Sequence, residues 1–185
     1  MANYVGYCIT PKIPSDKFVK VLVPAGGLHA GQIVNVVSLA ASVEGVANNI
    51  EVFTATQPTT ATLGSKFFAV IVNGGFEQLA DGRRPAGQPD YTQYTYAEGE
   101  VATAILMDKN LMFEIGVDTV TGGTVGSPSS DIGKFIVPAN ATNTGAVAAE
   151  ATAGNCLEIL ATHYFRNGGL YGAGMLPTYI CRGAN

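Results

Sequence analysis

Short apolar runs recur along this chain with glycine, proline or asparagine between them, and that rhythm organises the reading. Runs rich in Val, Ile, Phe and Tyr occupy 4–9, 20–23, 32–38, 50–54, 66–72, 92–96, 101–107, 111–117, 134–137, 156–165 and 178–181. Segments of this length, β-branched or aromatic and bounded by turn residues, predict strands, and their density predicts an all-β barrel or sandwich. KFFAVIV at 66–72 is apolar at both parities, so its strand is expected at the centre of a two-layer core or under a neighbour on its outer side. In LMFEIGV, Leu111, Phe113, Ile115 and Val117 share one face, opposite Met112, Glu114 and Gly116. Asp108, Lys109 and Asn110, just before it, have hairpin-turn chemistry and predict that 101–107 and 111–117 pair.

VPAGGLHAGQIVNV at 23–36 places two glycine steps between valine-rich runs. Glycine permits the positive φ that a sharp corner needs, so this is a bend between strands, with no helix after it to cradle a phosphate. The run 156–165 is ambiguous, since Leu157, Leu160, Ala161 and Tyr164 also suit a helical stripe; strand is preferred. The organisation expected is a single β-rich domain: an extended arm at 1–16, a core at 17–118, a Gly/Thr/Ala-rich segment at 119–155, and returning strands and a tail at 156–185. Within the third of these, AVAAEA is expected to form a short helix or stay mobile.

Charge changes the picture of the surface. Lys, Arg, Asp and Glu make up 13% of the chain, where an ordinary domain has about 25%, and mean hydropathy is +0.23. A neutral polar skin and a surface meant for contact with other protein explain this equally well, because interface cores are depleted in charge. Net charge is −4 and only Arg83 and Arg84 are adjacent among the basic residues, which argues against a nucleic-acid partner. The uncharged stretch 21–43 is interrupted by Pro24, three glycines, Gln32 and Asn35, so it is not a membrane-spanning helix, and no membrane partner is expected. Cys8, Cys156 and Cys181 lack disulfide or zinc spacing and are expected to be buried thiols. The opening MANYVGYCITPK has neither block of a secretory signal, so synthesis and folding in the cytoplasm are expected.

Chemistry-bearing residues are sparse. His29 and His163 lie outside any catalytic motif and are expected to be structural; Glu98 and Glu100 share a face only within what reads as a solvated turn. No enzyme activity, cofactor or metal is expected. Interface chemistry is better supplied. Arg83 and Arg84 precede Tyr91, Tyr94 and Tyr96 in one loop and strand, and Tyr and Arg are the types that most often anchor interfaces. For any single tyrosine, packing on the chain's own core is the stronger reading; for the loop as a unit, an interface is. The N-terminal stretch, with Tyr4, Pro11, Ile13 and Pro14, is expected to lie extended on a partner, since its prolines forbid regular pairing.

VPAGGLHAGQIVNVV, together with EGEVATAILMDKNLMFEIGVD, resembles the capsid decoration, or head-stabilising, proteins of tailed bacteriophages. The likeness covers roughly the first two thirds of the chain and departs from the shorter members after Asp118. It implies a small β-barrel or β-tulip body with no enzyme activity and no cofactor, made in the host cytoplasm and located on the capsid exterior. The partners implied are the major capsid protein and further copies of the chain itself, with trimers common in the family. Two other classes stand beside it. One is a carbohydrate- or receptor-binding surface module stacking sugars on Tyr94 or Tyr96, which the absence of Trp disfavours. The other is a shell-forming coat protein, which would ordinarily carry an Arg-rich arm.

Overall fold

A computed structural model describes residues 4–40, 52–59, 67–72, 95–139, 145–151, 156–166 and 175–184. Its strands, in chain order, are β1 (Gly6–Cys8), β2 (Phe18–Leu22), β3 (Leu28–His29), β4 (Ile33–Leu39), β5 (Val52–Thr56), β6 (Phe68–Ile71), β7 (Thr95–Tyr96), β8 (Val101–Leu106), β9 (Met112–Gly116), β10 (Val120–Thr121), β11 (Phe135–Pro138), β12 (Gly145–Ala148), β13 (Cys156–Arg166) and β14 (Met175–Ala184). The chain is all-β: short 3₁₀ turns are the only helical segments among the described residues. The ambiguous run from 156 is strand, and AVAAEA begins as strand β12, where helix propensity yields to pairing. Gly145 is wedged there, its position leaving 2.3 Å between a would-be Cβ and Ile136 Cγ2.

Strands β2, β5, β4, β6 and β8 close into a barrel. Its interior holds small residues from every wall: Val19, Val21, Val34, Val36, Ala55, Ala69, Ile71, Ala102 and Ala104. Five strands leave a narrow lumen, which Val and Ala fill where larger side chains would overpack it. A seven-stranded sheet, ordered β1-β9-β14-β13-β11-β12-β10, lies against the barrel. Its inner residues Phe113, Ile115, Ile136, Leu157, Ile159 and Tyr179 form a second core with Ile33, Phe68, Val70 and Ile105 from the outer barrel wall.

This explains KFFAVIV. β6 sends Ala69 and Ile71 into the barrel and Phe68 and Val70 into the layer beneath the sheet, so all four are buried. Both alternatives raised by its apolar pattern hold at once.

The expected hairpin across Asp108–Asn110 does not form. β8 ladders with β2 and β6, and β9 with β1 and β14, so each strand has both hydrogen-bonding edges occupied by others. The turn, with Asn110 at φ 72 and Leu111 N–H donating to Asp108 O at 3.2 Å, carries the chain from barrel to sheet. Leu111, Phe113, Ile115 and Val117 are nonetheless buried as one face.

The expected arm is extended but docked. β1 pairs with β9, Val5 is fully buried, and Ile13 packs against the second core. Residues 119–155 are likewise drawn into the body where described, contributing β10, β11 and β12 to the sheet.

Candidate functional site

The glycine corner builds one end of the barrel. Gly27 N–H closes a turn onto Pro24 O at 3.2 Å, with Gly26 at φ 94 and Gly27 at φ 75. The chain then forms β3, which pairs Leu28 with Tyr96 and His29 with Thr95 of β7. Gly31, at φ 84, donates to Ile71 O at 2.8 Å, and β1 crosses so closely that a Cβ on Gly6 would meet Gly31 N at 2.2 Å. This crossing stacks the Tyr4 ring on His29, centroids 3.6 Å apart and planes 8° from parallel, while His29 Nδ1 lies 3.1 Å from Thr95 Oγ1.

Tyr4 and Tyr96 therefore meet at this corner, in different roles. Tyr96 is 9% exposed, belongs to the barrel core and donates its hydroxyl to Val72 O at 3.4 Å. Core packing was the stronger reading for a single tyrosine, and the ring fills the barrel mouth, as Leu28 does. Arg83, Arg84, Tyr91 and Tyr94 lie outside the described residues. Glu98 and Glu100 occupy an exposed turn, where Glu100 Oε2 accepts Ala97 N–H at 2.8 Å.

The opposite end of the barrel exposes large apolar side chains among the described residues. Phe18 is 46% exposed, Val37 56%, Leu39 50% and Phe67 62%. Pairing places all four at this same end: Val36 N–H donates to Phe67 O, Met107 N–H to Phe68 O, and Phe18 sits opposite Ile105. A bulge between Val36 and Ser38 ends the inward-outward alternation of β4 and leaves Val37 and Leu39 both facing solvent. Lys17 Nζ, 2.7 Å from Asp108, ties the incoming segment to this end; that hydrogen bond lowers the Asp108 pKa and raises that of Lys17. Exposed Pro11 and Pro14 and half-buried Ile13 lie on the same segment. Phe18 was readable from FVKVL, whose alternation puts it with Lys20 on the outer face; the other three carried no sequence signal.

The sheet holds two buried carboxylates. Asp131 accepts hydrogen bonds from Tyr179 Oη at 2.5 Å, Lys134 Nζ at 2.7 Å and Thr124 N at 2.9 Å. Burial opposes its charge, but the bonds from Lys134, Tyr179 and Thr124 outweigh it and bring the pKa down to about 2. Burial and the Asp131 bond push the Tyr179 phenol well up. This network pins the loop before β11 to the sheet.

On the outer face, Glu114 Oε1 accepts from Thr178 Oγ1 at 2.7 Å and from His163 Nδ1 at 2.8 Å. A carboxylate only accepts, so the ring nitrogen that faces Glu114 is the one that donates. The residue types suggest a triad, but the order is wrong. Thr178 donates to Glu114 and to His163 O, never to the imidazole, so nothing activates its hydroxyl. Among the described residues, no group of three or more His, Cys, Asp or Glu could hold a metal ion, and no helix is long and apolar enough to cross a membrane.

In comparisons with known proteins, no family model, curated protein or solved structure matches the chain.

Proposed function

We propose that this chain is a structural protein that attaches to the outer surface of a tailed-bacteriophage capsid and stabilises the mature shell. The observation that carries the reading is the apolar barrel end of Phe18, Val37, Leu39 and Phe67, exposed in a chain with only 13% charged residues. Clusters of large exposed apolar side chains on a small domain mark contact surfaces. The resemblance of the glycine corner and the residues around β8 and β9 to capsid decoration proteins supplies the partner, the major capsid protein. Binding only to the assembled lattice raises the free energy needed to separate its subunits, by mass action. Several modest contacts per attached oligomer add through effective concentration.

The test begins with density-gradient fractionation of virions from the source, followed by identification of the chain in the particle band. Purified chain should then co-sediment with mature capsids stripped of it. Leu39→Asp and Phe67→Asp should lose that binding by roughly tenfold or more while retaining wild-type thermal stability, since both side chains are already solvated. A chain absent from the particles, or folded variants that bind as wild type, would overturn the proposal.

A further inference from the structure

The β13–β14 hairpin outruns the sheet that holds it. β11 accompanies β13 only as far as Ile159, whose N–H donates to Lys134 O at 2.8 Å and whose C=O accepts Gly133 N–H at 2.9 Å. At that point a bulge between Ile159 and Ala161 bends the strand away. On the other flank, β9 ends opposite Thr178. Beyond these limits the two strands pair only with each other among the described residues, from Ala161↔Ile180 to Arg166↔Met175.

The two free edges are not alike. Gly183 N–H donates to Leu111 O, so odd-numbered residues of β14 turn their backbone groups toward β9 and even-numbered ones toward β13. Pro177 is odd, so the outer edge of β14 presents a residue without an N–H, which is how edge strands are blunted. On β13, Thr162 and Tyr164 stand opposite Tyr179 and Pro177 and therefore turn their N–H and C=O outward. From 160 to 165 that edge reads LATHYF, with no proline and no Lys, Arg, Asp or Glu to discourage pairing. The other described sheet edges, β1 and β10, are three and two residues long. The chain shortens or blocks every other described edge of this sheet and leaves this one without a ladder partner among the described residues.

We infer that the outer edge of β13 is a dimerisation site, pairing antiparallel with β13 of a second copy so that Thr162 of each faces Tyr164 of the other. An isologous contact satisfies both open edges at once and closes, which an edge shared by identical chains requires if it is not to polymerise. In this register His163 meets its own copy at the dyad and Arg166 faces Leu160, so no two fixed like charges are opposed, and the backbone supplies the hydrogen bonds. The inference is independent of capsid attachment, because it concerns the free chain.

Light scattering after size exclusion, over a dilution series of the full chain, should give twice 19.1 kDa, falling to 19.1 kDa on dilution. Thr162→Pro removes an outward N–H and no intrachain ladder bond, and Tyr164→Lys places a cation on each side of the dyad. Each should weaken the dimer by roughly tenfold or more while far-UV spectra stay unchanged. Should either variant fail to fold, hydrogen exchange of the wild type decides: the Thr162 and Tyr164 amides should gain protection with concentration. A wild type that is monomeric at all attainable concentrations, a threefold mass, folded variants that dimerise normally, or amides indifferent to concentration would each overturn the inference.

Discussion

Replacing Asp131 with Asn isolates the buried carboxylate that fastens the loop before β11 to the sheet. The side chain is 1% exposed and its pKa falls from the ordinary 3.8 to about 2. At about 1.36 kcal/mol per pKa unit, that depression corresponds to roughly 2–3 kcal/mol of folded-state stability at neutral pH. The folded-state pKa lies below the unfolded one, so the contribution is complete above about pH 4 and lost as pH falls through about 2. Asn keeps the shape and can still accept from Tyr179, but it carries no charge for Lys134. Urea unfolding of both proteins between about pH 7 and about pH 2 should therefore give a gap of roughly 2–3 kcal/mol at neutral pH that narrows steadily in acid. Near neutrality the melting temperature should fall by roughly 5–10 °C. A gap that stays constant across the series, or no gap at pH 7, would refute the reasoning.

Three further outcomes follow from the packing. Gly6→Ala should destabilise by about 3 kcal/mol or more in denaturant titration, because its Cβ would lie 2.2 Å from Gly31 N and 2.6 Å from Ile71 O, both backbone atoms; a neutral result would deny the crossing of β1 over the corner. Deleting residues 1–16 removes β1, Val5 and Ile13, so heating followed by circular dichroism should show an unfolded or much weakened protein, contrary to what a free arm would give. Thiol labelling should be stepwise, with half-buried Cys8 reacting first and Cys181 only with global unfolding, since it is fully buried and burial raises its pKa.

Much of the fold was legible because its strands obey local rules. The shared parity of Leu111, Phe113, Ile115 and Val117 announced one buried face, and the two-faced KFFAVIV announced a strand covered on both sides. The glycine corner was legible for the same reason: Gly26, Gly27 and Gly31 all take the positive φ that their positions suggested. Partner choice between strands was not. Asp108–Asn110 has the chemistry of a hairpin turn whether it folds back or crosses over, and only the claims of β2, β6, β1 and β14 on the two strands decide between them. Short strands β10 and β12, built from Val, Thr, Gly and Ala, form because neighbours pair with them, so their own residues announce little. Glu114 was visible as the lone acid on the outer face of β9, but its link to His163 spans 49 positions and has no local signature.

The position of β9 between β1 and β14 sets a schedule for the ribosome. The last barrel strand ends at Leu106, so the barrel can close before β9 to β14 have been made. Strand β9 emerges soon after with β1 ready on one side and an empty flank on the other, and its partner there, β14, follows only after β10 to β13. Until β14 is made, the greasy underside of the growing sheet has nothing to complete it, so chains truncated before Met175 should yield aggregation-prone fragments in place of smaller working proteins.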